Sequence, residues 1–210
     1  MEPVQLAFFL VVLVFSVILH EYVHGWVAYL LGDPTAKDQG RLTLNPIPHI
    51  DPFMTVIVPI MLLILSGGRW ALGGAKPVPV NPLNFRRPRK GMMIVGAAGP
   101  ATNLALSGAF ALVFRIARAA GVMEGGMAAG LVGAVMVNAI LAFFNLIPVP
   151  PLDGSRIVAG ILPRDAAMAY DQLGRFGLFI VLALVMFGGS RFIFGPAIAY
   201  TSWLLGIRLY

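Results

Sequence analysis

The chain has no cysteine, which excludes disulfides, thiolate nucleophiles and any metal centre built on sulfur ligands. A zinc site here would need histidine and carboxylate donors. Both are scarce, with three His and nine Asp plus Glu in 210 residues. Charged residues make up only 11%, against roughly 25% in soluble domains. No polar stretch exceeds a few dozen residues, so no appended globular domain is expected. The formal charge of +6 sits in short clusters between apolar runs. That pattern points to membrane topology and anionic lipid headgroups rather than to nucleic acid.

What is present in quantity is hydrophobic side chain, 59% of the total. Three runs are long enough for the ~20 residues a bilayer crossing needs: 4–31, 91–114 and about 126–147. The first is too long for a signal-peptide core and lacks a basic start and a cleavage site, so it is expected to stay as a membrane helix. Residues 53–66 are shorter and interrupted by Pro59, a length more common in re-entrant than in spanning segments. Two further runs, 176–189 and 192–207, read as one tight helical hairpin or two weak spans. The expectation is an all-α polytopic membrane protein, a single domain over 1–210. It would have about five to six membrane segments, one of which could be re-entrant.

The chemistry-bearing stretch is His20-Glu21-Tyr22-Val23-His24, inside the first apolar run. Residues four apart share a helix face, so His20 and His24 can offer imidazoles to one ion. Glu21 then stands where it can take a proton from a metal-held water, the logic of HExxH hydrolases. Ionisable groups in such surroundings are functional-site hypotheses by default. At 1.5 Å per residue, His20 lies roughly 16 Å inside the Leu31 end, within the membrane but nearer one face.

Three other stretches carry candidates. Asn145-Leu146-Ile147-Pro148-Val149-Pro150-Pro151-Leu152-Asp153-Gly154 must break its helix, and broken backbone at membrane depth is tolerated only beside protein or water. Asp153 is the ligand type that would complete a two-histidine site, or else a solvated turn residue. Asn103, in the run that starts Gly96-Ala97-Ala98-Gly99-Pro100, suits either interhelical bonding or the site. His49 stands in a proline-rich loop as a metal or substrate contact or a structural side chain. Gly40-Arg41-Leu42-Thr43-Leu44 alternates and could be a strand of a short β-hairpin near the site. Lys76-Pro77-Val78-Pro79-Val80-Asn81 reads as an extended arm. The basic cluster Arg86, Arg87, Arg89 and Lys90 assigns that end to the cytoplasm.

Together, HExxH in an early membrane helix, a GPxxN helix, and N-x-x-P-x-x-P-L-D-G closing a later one resemble the site-2 protease family of intramembrane zinc metalloproteases. The likeness spans about 10–160, with 176–207 as an apolar hairpin beyond it. It looks like a small prokaryotic form, without PDZ or CBS-type domains and with an apolar insertion at 53–75. The resemblance implies one zinc ion per chain on His20, His24 and Asp153, with Glu21 as general base and acid. It also implies that Asn145 holds the substrate backbone or oxyanion, with Asn103 as a further catalytic candidate. The partners implied are a membrane-spanning protein or peptide substrate and the lipid bilayer of a prokaryotic plasma membrane, with the active site toward the cytoplasm. Competing readings are a metal transporter, which needs no Glu21 at that spacing, and a scaffold, which needs no ligands. A CaaX-type membrane protease would draw its third ligand from a Glu outside any L-D-G motif.

Overall fold

In the computed structural model, residues 2–65, 67, 73–186 and 190–209 are described. The first apolar run is one helix, α1 (Pro3–Leu30), with a proline in its opening turn, where the missing N–H is no loss. It stops where the Gly-Asp-Pro signal predicts, the Asp33 N–H closing onto Ala28 O at 2.9 Å. A single-turn helix, α2 (Thr35–Asp38), follows. The insertion forms a wide helical turn over Pro52–Ile57 and then α3 (Val58–Leu65). At 8 residues α3 rises only ~12 Å, far short of the ~30 Å hydrocarbon layer. The remainder of the insertion, 66 and 68–72, lies outside the described residues.

The bundle is built around α4 (Pro88–Ala119), which runs through Pro100 without a break. It packs against α1, against α5 (Gly125–Asn145) and against α6 (Asp153–Ile161). The chain then continues through α7 (Arg164–Asp171) and α8 (Gly177–Met186) to α9 (Ser190–Leu205). Four stretches are long and apolar enough to cross a membrane: Pro3–Leu30, Pro88–Ala119, Gly125–Asn145 and Arg164–Leu184. The last joins the polar connector to the first half of the expected C-terminal hairpin. The second half, α9, has 16 residues and falls short of that length. The junction at 187–189 lies outside the described residues. An integral membrane protein of helices is therefore what the sequence forms. The β-hairpin is not: among the described residues there is no strand, and 40–44 is irregular. Among the described residues, these five alternating positions meet no partner strand with which to close a ladder.

Apolar packing occurs in patches, with Ala111, Phe114, Leu131, Val135 and Leu205 joining α4, α5 and α9. Between membrane helices, lipid is as apolar as leucine, so close packing and polar contacts carry the specificity. Ser107 accordingly donates from its fully buried hydroxyl to Val135 O at 3.0 Å. The basic cluster is put to work as well. The Arg89 guanidinium donates to Ala159 O and Leu162 O, covering the end of α6.

The extended arm 73–81 is tied back to the end of α1 by Asp33, whose side chain is fully buried. Its carboxylate accepts from the Asn81 N–H at 2.7 Å, from the Asn84 amide at 2.6 Å, and from the Thr35 N–H and hydroxyl. Burial pushes the Asp33 carboxyl up, but the bonds from Thr35, Asn84 and Asn81 outweigh it and hold the group below its ordinary value of 3.8. A group depressed in the fold stabilises it fully above the unfolded value and stops doing so as pH falls through the folded one. In metal-free protein the thermal midpoint should thus drop on acidification below about pH 4 in wild type, and less steeply in Asp33→Asn. Asp33→Ala, which orphans four donors, is expected to lose on the order of 2–4 kcal/mol by thermal or denaturant unfolding.

Candidate metal centre

His20 and His24 sit one helical turn apart on the face of α1 that meets α4. Both are nearly fully buried, with rings edge to face and centroids 4.6 Å apart. Their Nε2 atoms lie 3.0 Å from each other, and each is 3.1 Å from Oδ2 of Asp153. Asp153 arrives from the far side of the proline break. There the chain leaves α5 at Asn145 and re-enters helix at residue 153, in a first turn that favours a carboxylate. The sequence thus brings together three donors separated by up to 133 positions of chain.

Two glycines make the convergence possible. A Cβ at Gly99 would overlap both imidazoles, so the histidines rest directly on the backbone of α4. A Cβ at Gly154 would collide with the backbone of Leu146 and Ile147, so Gly154 lets the chain fold back under the end of α5.

The outer nitrogens decide what the inner ones can do. His24 Nδ1 lies 2.7 Å from Val95 O, a carbonyl, so Nδ1 carries the proton and donates. For His20 the answer comes through two amides. Ala134 O can only accept, so the Asn138 amide nitrogen donates to it at 3.0 Å, which turns Asn138 Oδ1 toward Asn103. Asn103 Nδ2 donates to that oxygen at 3.1 Å, which turns Asn103 Oδ1 to His20 Nδ1 at 2.6 Å. His20 is therefore protonated on Nδ1 as well. In the neutral form of each ring Nε2 is then a lone pair that faces Asp153, and the carboxylate adds a third. Such an arrangement calls for a cation at its centre, and donors around a tetrahedral zinc at ~2.0 Å stand roughly 3.3 Å apart, close to what is seen. The residues fit the metal.

Glu21 and Asn145 line the same cleft as the three donors, together with Pro77, Val78, Pro151 and Arg156. Asn145 donates one amide hydrogen to Leu141 O at 2.9 Å and keeps a second. Asn103 is fully buried behind His20 and is not among the cleft-lining residues. His49 is buried elsewhere, its Nε2–H donating to Thr43 O at 2.9 Å, and is not part of the donor cluster.

The sequence profile of Peptidase family M50 matches residues 111–188. Three relatives carry the name Putative zinc metalloprotease. YwhC of Bacillus subtilis is 38% identical over 92% of this chain and 87% of its own length. Rip2 of Mycolicibacterium smegmatis is 31% identical over 81% of this chain, and Rip3 of Mycobacterium tuberculosis 33% identical over 71%. The chain belongs to peptidase family M50. This is the site-2 protease family of zinc metalloproteases. The chain spans 63% of the length of that Rip2 and 37% of that Rip3, so those relatives carry sequence beyond what it matches. No solved structure matches the chain.

Three further residues at this M50 site carry no functional signal in the sequence. Asn138 is a fully buried polar side chain in an apolar helix, seven positions before Asn145, and that placement was its only signal. Arg156 pairs with Oδ1 of Asp153 at 3.3 Å, one turn along α6, leaving Oδ2 to face the two imidazoles. Val78 donates its N–H to Glu21 Oε2 at 3.0 Å. The amide relay yields a test. Asn138→Leu should leave the chain folded in the membrane but weaken metal binding by about 10–100-fold, as loss of an outer partner of a ligating histidine does. Competition with a chromophoric chelator would measure it, and unchanged affinity would show that His20 does not depend on the relay.

Proposed function

We propose that this chain is an intramembrane zinc endopeptidase. It cleaves membrane-spanning proteins or peptides in a prokaryotic plasma membrane, with its active site toward the cytoplasmic side. The observation that carries the reading is the meeting of His20, His24 and Asp153 beside the Glu21 carboxylate within a bundle of apolar helices. We take 1–210 as one membrane-embedded domain, with the motifs in 10–160 and the apolar hairpin in 176–207 as support.

His20, His24 and Asp153 would hold the ion, the two imidazoles neutral and the carboxylate steadied by Arg156. When bound, zinc supplies a Lewis-acid centre that acidifies water and polarises a carbonyl. Glu21 accepts the proton of the attacking water and later delivers it to the leaving amine. Asn145, with its second amide hydrogen, serves the oxyanion or the substrate backbone from the cleft wall. Asn103 acts at one remove, keeping His20 turned to the ion. A helical substrate hides its carbonyls in its own hydrogen bonds and must be drawn out locally to be cut.

The basic cluster at Arg86, Arg87, Arg89 and Lys90 supports the orientation. Because the chain has no cysteine, single introduced thiols report it cleanly. Arg87→Cys should label from the cytoplasmic side and Glu124→Cys, at the opposite end of α4, from the other; labelling from one side alone contradicts this topology. Chemistry and binding should separate in the site variants. Glu21→Gln is expected to retain about one zinc per chain and lose at least 10²–10⁴-fold in cleavage of a reporter helix. Asp153→Ala is expected to lose the metal, since two imidazoles leave it under-coordinated. Wild-type cleavage by Glu21→Gln would remove the carboxylate from the mechanism.

A further inference from the structure

The proline-rich arm is joined to the site by one hydrogen bond. Val78 donates its backbone N–H to Oε2 of Glu21 at 3.0 Å, and no other hydrogen bond joins the arm to α1 at the site among the described residues. Proline has no N–H, so in Pro77-Val78-Pro79 only the middle residue can donate at all. The flanking rings also fix φ on either side, which stiffens the strip that carries this donor.

The arm is clamped at both ends. The Lys76 N–H donates to His49 O at 2.8 Å, and Lys76 O accepts from the Arg41 guanidinium at 2.7 Å. Beyond Val78, the Asn81 N–H and the Asn84 amide are held by the buried Asp33. The Val78 side chain itself is 7% exposed and packs where α1 has no side chain. A Cβ on Gly25 would come within 2.8 Å of it. A glutamate with three rotatable bonds is the mobile partner of this pair, and the amide is the fixed one.

We propose that the Val78 N–H is the positioning group of the general base: it holds one oxygen of Glu21 at a set place and leaves the other for the proton in transit. The inference rests on Glu21 being that base. The two carboxylates of the site are then held by different means. Asp153, which must remain a ligand, has the Arg156 cation against its outer oxygen. Glu21 has a neutral backbone N–H against one oxygen, which orients it. Pro77 and Val78 also line the cleft, so the strip that a substrate passes is the strip that sets the base. This gives the loop between the first two long helices a part in the chemical step.

The test uses the full-length, zinc-loaded chain and a membrane-spanning reporter peptide. In one variant the Pro77–Val78 amide is replaced by an ester, through the hydroxy-acid analogue of valine, which deletes the N–H and little else. Val78→Pro deletes the same hydrogen genetically. The ester and Val78→Pro should lower kcat by about 10–100-fold with KM within about threefold, the loss expected for a misplaced catalytic group. Zinc should remain at about one per chain. If Val78→Pro does not fold, the ester decides. An ester variant with full kcat, or one that loses rate through KM or metal alone, would overturn the proposal. Glu21→Gln in the same assay separates the two readings. If it is inactive while the ester is not, only the role of the arm fails. If it is active, the base assignment fails first.

Discussion

Three lone pairs directed at one another within about 3 Å, in surroundings with little water to screen them, repel unless a cation lies between them. The rest of the structure depends on that constraint. α1 can present two imidazoles one turn apart by its own geometry, but the third donor has to come from a separate piece of chain. It also has to arrive with its charge intact. The proline break after α5 supplies the change of direction, Gly154 the close approach, and Arg156 a counter-charge on the oxygen turned away from the site. Gly99 removes the side chain that would otherwise hold α4 away from the histidines.

The same contacts are part of what holds the bundle together. In a bilayer there is little hydrophobic gain from pressing one apolar helix against another, so polar contacts between helices carry disproportionate weight in fixing register. His20 to Asn103 and His24 to Val95 join α1 to α4, while Asn103 to Asn138 and Ser107 to Val135 join α4 to α5. The relay from Ala134 to His20 is therefore both an interhelical fastening and a choice of tautomer. A site assembled this way and a bundle assembled this way are hard to perturb separately. Changes that keep side-chain volume and alter only hydrogen-bonding capacity are accordingly the informative ones.

Around the metal donors, the irregular segment between α1 and α4 holds a larger part than its lack of regular structure suggests. It is pinned by Asp33, Arg41 and His49, all buried, each with a hydrogen bond to backbone or loop partners. Their work brings the arm to the cleft at a fixed height. His49 is thereby accounted for as a fastening of the loop.

Much of this was legible in the residues. The length and polarity of the apolar runs determine a helical membrane protein, because twenty unbroken apolar residues have few other stable solutions. The i,i+4 spacing of His20 and His24 likewise determines that they share a face, and the prolines of 148–151 that a helix ends there. Other features had no local signal. The β-hairpin expected at 40–44 does not form, because a strand needs a partner and alternation cannot say whether one exists. Asn138 looked like any polar residue in an apolar helix, since its role depends on which helix lies opposite. The Val78 donor was visible only as a gap between prolines until the fold brought Glu21 beneath it. The sequence by itself determined which chemistry the chain can carry, since that follows from residue types and short-range periodicity. Only the tertiary structure decided which lone pairs face inward and which groups hold them there, because those depend on contacts between segments far apart in the chain.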